Sequence, residues 1–255
     1  MRQLPIEQQV LLTLQVAALL MLCVRMWVAK LHRVYLYFFG YVLVELCQAL
    51  VPMLVPVESL LYRDLYVVSQ GLIMMFYALV VFELYSKVLK DLEGLAKLAR
   101  RYIRIALGLA ILIAVLPVRL EKNPAKMTGY LFAFERTVMS LLVIFVLFII
   151  LFLAYYPLPL ARNVIIYLAG YVVSFLSVTI VTLINNVGYF WNRSLSTAQM
   201  GVDLACFLFW LLALSPEGER RRVVVGHQWN PGDDQRVLRQ MEAMNAALLR
   251  SRPKL

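Results

Sequence analysis

Along most of this chain the apolar positions do not alternate with polar ones; they run on, and polar residues gather at the breaks. Seven such runs, at about residues 6–28, 34–55, 65–86, 103–120, 131–155, 164–190 and 197–214, approach the ~20 residues a helix needs to cross a bilayer. In hydrocarbon every backbone amide must be satisfied within helices or a closed barrel. Continuous Leu, Ile and Val runs without strict alternation select helices. The expected fold is therefore all-α: a polytopic membrane protein with one seven-helix domain over 1–215 and a tail over 216–255.

Composition fits this pattern, with 62% hydrophobic residues, 16% charged residues and a mean hydropathy of +0.77. A soluble domain of this size has no interior large enough for that much apolar surface. The first run is not read as a secretory signal. Only Arg2 precedes it, no small-x-small cleavage site follows, and the apolar stretch is too long for a signal core. Leu20-Met21-Leu22-Cys23 lacks the small residue that a lipoprotein site places before its cysteine. A retained helix is expected.

Lys and Arg fall unevenly between the two sides, and short basic loops stay cytoplasmic. One side carries 13 of them: Arg25, Lys30, Arg33, Lys87, Lys90, Lys97, Arg100, Arg101, Arg104, Arg162, Arg220, Arg221 and Arg222. The other carries 6: Arg2, Arg63, Arg119, Lys122, Lys126 and Arg193. The N-terminus is thus expected outside and the C-terminus in the cytoplasm, in the plasma (inner) membrane. The net charge of +10 then reads as an orientation signal and an attraction to anionic lipid, with no nucleic-acid partner expected.

Chemistry is narrowed by what is missing. Cys23, Cys47 and Cys206 all lie within apolar runs, where they read as small fillers rather than as disulfide or metal-binding cysteines. His32 and His227 lie outside the runs, so neither a bis-histidine haem nor an HExxH zinc site fits. The last run has no lysine for a retinal Schiff base, and Gly201-Val202-Asp203 is not the GxGD of aspartyl intramembrane proteases. No GxSxG, DxxDG, P-loop or dinucleotide fingerprint is present. No enzyme activity, cofactor or metal is expected. Prolines 52, 56, 117, 157 and 159 stand at run ends rather than in mid-span, and no internal repeat is evident, which places a small-solute transporter second.

The runs do contain polar residues that oppose insertion. Glu45 and Asp203 lie near mid-span, each costing about 2.5–3.5 kcal/mol on the translocon scale. Tyr37, Tyr41, Glu45 and Gln48 recur at helical spacing and are expected on one face, as are Gln199, Asp203, Cys206 and Trp210. Gln15, Gln70, Glu135, Arg136, Asn185 and Asn186 add to the outer half. Arg136 is the single cation among these acids, so a protonated acid or penetrating water is expected. A ligand-binding set of Glu45, Gln48, Arg136, Asp203, Tyr41 and Asn185 follows, with Gln15, Gln70 and Asn186 read as interhelical hydrogen-bonding groups. Glu83, four residues before Lys87, reads as an interfacial helix pair.

On the cytoplasmic side, Leu89, Leu92, Leu95 and Leu98 space a basic connector over 86–104 that suits a helix lying among headgroups. In the tail, Ser215-Pro216 reads as a helix stop. A helix over about 234–250 presents the seam Val237, Met241, Met244 and Leu248. That seam is too short for a free-standing coiled coil, so it is expected to dock on the bundle, the membrane or a cytoplasmic protein partner. The layout resembles the seven-helix sensory modules of bacterial receptors and kinases. It implies a receptor-like module that binds a small or lipidic ligand in its outer half and signals through connector and tail. A non-catalytic accessory subunit of a membrane complex ranks third.

Overall fold

A computed structural model describes residues 5–56, 59–89, 138–139, 141–151, 153, 158–188, 193–225, 239 and 242–243. The described chain is predominantly helical. Five helices are long and apolar enough to cross a membrane: α1 (Ile6–Val28), α2 (Leu36–Leu54), α3 (Leu60–Val88), α5 (Arg162–Gly188) and α6 (Arg193–Ala213). This is the architecture of an integral membrane protein. The shorter apolar helix α4 spans Leu141–Leu151, and α7 spans Pro216–Arg220. The fourth expected span and all of the connector beyond Leu89 lie outside the described residues.

Local chemistry explains the helix ends. Ser59 caps α3, its hydroxyl accepting from the Tyr62 N–H at 3.0 Å. Pro52 sits inside the last turn of α2 rather than beyond it. α1 stops at Ala29 and Lys30, the latter at φ 57, a left-handed conformation that turns the chain into the 3-10 segment Leu31–Arg33. Ser215 does stop α6 but also caps α7, accepting from Gly218 N–H at 3.1 Å with Pro216 in the first turn.

The helices pack as a closed circuit: α1 against α2, α2 against α3, α3 against α5, α5 against α6, and α6 back against α1. α1 and α6 run parallel. Gln8 Nε2 donates to Thr197 Oγ1 at 3.1 Å near one end, and Arg25 Nη2 donates to the Leu214 carbonyl at 2.8 Å at the other. Helix α4 lies outside the circuit against α3, where the Tyr85 hydroxyl donates to the Phe145 carbonyl at 3.1 Å. Glycines permit two close crossings. A Cβ on Gly40 would strike the Phe76 ring, and one on Gly170 would strike the Trp210 indole. Facing outward are apolar side chains such as Leu54, Val68, Leu151 and Leu212, each more than half exposed, as a lipid-facing surface requires.

One feature departs from the all-α expectation among the described residues. Leu158–Ala161 and Arg222–Val225 form an antiparallel ribbon, with Leu158 opposite Val225 and Ala161 opposite Arg222. Three consecutive β-branched valines, Val223 to Val225, favour extension, and Pro159 is tolerated because a two-stranded ribbon leaves one side of each strand unpaired. The first residues of the tail, Pro216 to Val225, thus pack against the bundle.

Candidate functional site

The sequence-derived site residues fall on two helix pairs. On α2 and α3, Tyr41 is buried and stacks on Tyr77 with ring centroids 5.0 Å apart. The Tyr77 hydroxyl donates to Glu45 Oε1 at 3.5 Å, and about one turn further along α2 Gln48 Nε2 donates to Gln70 Oε1 at 3.0 Å. Tyr37 leaves this face and is 40% exposed. It stands in the first turn of α2, one turn before Tyr41. Gln70, expected as an interhelical hydrogen-bonding group, is one.

On α5 and α6, Gln199 Nε2 donates to Asp203 Oδ1 at 2.9 Å and to Ser177 Oγ at 3.2 Å. Cys206 and Trp210 continue the same face toward the C-terminal end of α6 and are buried. Cys23 is buried as a filler should be, whereas Cys47 is exposed on the bundle surface. Arg136 and Glu135 lie outside the described residues. So do Val237, Met241, Met244 and Leu248. Asn185 belongs to α5, but its side chain, like that of Asn186, lies outside the described set.

Between the two pairs stands an aromatic core that sequence spacing did not single out. Phe38 contacts Tyr167, Tyr171 and Trp210 at centroid distances of 4.4, 5.9 and 5.1 Å. Tyr77 meets Phe175 edge-on at 5.0 Å. Within this core the Tyr167 and Tyr171 hydroxyls and Trp210 Nε1 are buried with no hydrogen-bond partner among the described residues, as are Gln48 Oε1 and Gln199 Oε1. An unmet buried polar group costs about 1–3 kcal/mol, so these atoms mark where the interior is suited to polar occupants. The signal available in sequence was Tyr167, Tyr171 and Phe175 at four-residue spacing, a pattern that reads equally as ordinary packing.

At the basic end the core joins the tail. The Tyr35 hydroxyl donates to Glu219 Oε2 at 2.6 Å, and Lys87 Nζ lies 5.0 Å from the Tyr35 ring centroid. Burial, reinforced by the bond to Glu219, holds the Tyr35 phenol well above its usual range, so it stays a neutral donor. Asn163, fully buried, donates to the Ser215 carbonyl at 2.8 Å and accepts from the Ser215 N–H at 3.4 Å. Gly218 packs so closely on Asn163 that a Cβ there would meet the Asn163 amide oxygen.

Glu83 corrects an expectation. Instead of serving only as a helix-surface partner of Lys87, it reaches across to α2 and accepts from the Phe38 N–H at 3.2 Å, with the Tyr37 and Leu36 N–H groups beside it. Helix α2 begins at Tyr35 without a side-chain cap of its own. A carboxylate from α3 thus satisfies the orphan donors at its positive end. Sequence spacing on one helix cannot reveal a cap supplied by another.

Among the described residues no group of three or more His, Cys, Asp or Glu side chains is placed to hold a metal ion. No family model, curated protein or solved structure matches the chain.

Proposed function

We propose that the protein is a receptor-like sensory module that takes a small or lipidic ligand among the outer-half polar groups and passes the change to its tail. The observation that carries this reading is the clamp at the basic end. Leu214 to Arg221 are held by α1 through Arg25 and Leu214, by the α1–α2 turn through Tyr35 and Glu219, and by α5 through Asn163 and Ser215. A shift of any of these helices changes a hydrogen bond to the tail, which is what a mechanical readout needs. The proposed ligand groups, Glu45 with Gln48 and Asp203 with Gln199, lie on α2 and α6, which meet this clamp at Tyr35 and at Leu214.

The orientation belongs to the same proposal. Arg25 at the end of α1, Lys87 at the end of α3 and Arg162 at the start of α5 gather at one end of the bundle, and that end is taken as cytoplasmic. Trp27, 62% exposed and stacked on His32 at 4.5 Å, stands at the same level and suits a headgroup boundary. Hydrogen exchange in lipid nanodiscs tests the coupling without a known ligand. Asp203→Asn should raise exchange over residues 215–225 about fivefold, equivalent to about 1 kcal/mol of lost protection, while Cys47→Ser on the exposed surface should leave it unchanged. Identical exchange in wild type and Asp203→Asn would remove the proposed link between outer site and tail.

A further inference from the structure

Five tyrosines stand in succession between two carboxylates. Glu219 accepts from Tyr35 at 2.6 Å; Tyr35 lies against Tyr167 at a centroid distance of 4.3 Å; Tyr167 and Tyr171 are one turn apart on α5. Tyr171 meets Tyr41 at 6.1 Å, Tyr41 meets Tyr77 at 5.0 Å, and Tyr77 donates to Glu45 at 3.5 Å. Along α2 the distance from Tyr35 to Glu45 is about 15 Å, roughly half the thickness of a hydrocarbon core. We propose that this column is a proton relay joining Glu45, in the middle of the bundle, to Glu219 on its basic end.

Packing alone does not account for the hydroxyls. The same core uses Phe38, Phe175 and Phe207, all buried, wherever a ring suffices. Burying a phenol without a partner costs free energy that phenylalanine would avoid, yet the Tyr167 and Tyr171 hydroxyls are buried and find no partner among the described residues. Each can bind a water molecule, and a hydroxyl both donates and accepts, so water at these two positions completes a chain through which a proton can hop. In the outward-to-basic direction, Tyr35 gives its proton to the Glu219 carboxylate as it takes one from the hydroxyl or water behind it. The chain refills from the Glu45 carboxylic acid through Tyr77, whose hydroxyl rotates to accept. One O–H bond breaks at Glu45 and one forms at Glu219. Every tyrosine ends neutral, and no oxidant or reductant takes part.

Among the described residues, Glu45 is faced by Tyr41 on its own helix, Tyr77 from α3 and Tyr171 from α5. Around Glu219 and Tyr35 stand Glu83 and Lys87 from α3, Tyr167 from α5, and Arg220 and Arg221 along the tail. The relay does not depend on the sensory reading and would serve a transporter equally.

Infrared spectroscopy on proteoliposomes sorted so that the tail faces the bath provides the test, with the bath pH stepped and the lumen buffered. A carboxylic-acid band absent from Glu45→Gln should follow the bath pH, and Tyr167→Phe and Tyr171→Phe should slow it by about tenfold or more. Tyr62→Phe, off the column and stacked on Tyr66, should not change the rate. Phenylalanine keeps the ring, and thermal unfolding checks that each variant is intact. Tyr41→Phe and Tyr77→Phe replace any that is not. A Glu45 band that does not titrate, that follows the lumen, or that responds at the wild-type rate in the folded phenylalanine variants would overturn the relay.

Discussion

At the scale of single residues, the bundle depends on a few positions where one atom more or less decides the packing. Gly170 is one, because the Trp210 indole occupies the space a Cβ would need, while Cys206 Sγ approaches the Gly170 carbonyl at 3.8 Å. Gly170→Ala should displace the indole and destabilise the fold by about 1–3 kcal/mol. Thermal unfolding of the detergent-purified protein should show the loss, whereas Gly71→Ala, where nothing lies within 4 Å of the new Cβ, should be neutral or better. Tyr35→Phe removes the donor to Glu219 while keeping the ring against Tyr167, and should cost about 1.5–3 kcal/mol for a hydrogen bond to a charged group. The loss should appear as faster hydrogen exchange in the tail root. Residue types were readable in the sequence at these places, but their partners were not. Asn163 and Ser215 are 52 positions apart, and Tyr35 and Glu219 are 184 apart, so no local period could pair them.

At the scale of elements, long apolar runs translate directly into helices because hydrocarbon leaves the backbone no other partner. That is why α1 coincides with the expected 6–28 and α2 differs by only one or two residues from 34–55. Helix α3 begins earlier than expected, at Leu60 rather than 65, since Ser59 caps it and Arg63 and Asp64 pair with each other on its exposed first turns. The ribbon of Leu158–Ala161 with Arg222–Val225 escaped notice because each strand is only four residues long and its partner lies far away in sequence. Helix α2 depends on a borrowed cap: Glu83→Ala should cost about 0.5–2 kcal/mol, and Glu83→Gln less, because an amide oxygen still accepts from the helix N-terminus. Exchange of the Leu36 to Phe38 amides reports this directly. The tail seam is a further element-scale expectation. Replacing Met241 and Met244 with Asp should leave the bundle inserted while releasing residues 234–250, and proteolysis of the tail in membranes should become faster in the variant.

At the scale of the whole molecule, five described helices close a circuit around an aromatic core that joins Glu45 and Asp203 to the tail root. The hydrophobic pattern foretold the membrane architecture, and Glu45 and Asp203 were legible as interior polar groups because charge in a span is costly. Their division between two helix pairs was not legible, since helix neighbours are set by side-chain fit rather than chain order. The basic asymmetry predicts that reporter fusions after Leu214 act in the cytoplasm and those within 121–129 outside; the opposite pattern would invert the bundle. The account turns on energetic communication between the outer polar groups and the clamped tail, and a double-mutant cycle reads that quantity itself. Asp203→Asn and Tyr35→Phe lie on different helices and share no hydrogen bond, so independent sites would add to within about 0.3–0.5 kcal/mol. Measured as the opening free energy of residues 215–225 by hydrogen exchange in lipid nanodiscs, the cycle should give a coupling above that limit. Strict additivity, with both single variants folded, would contradict the account.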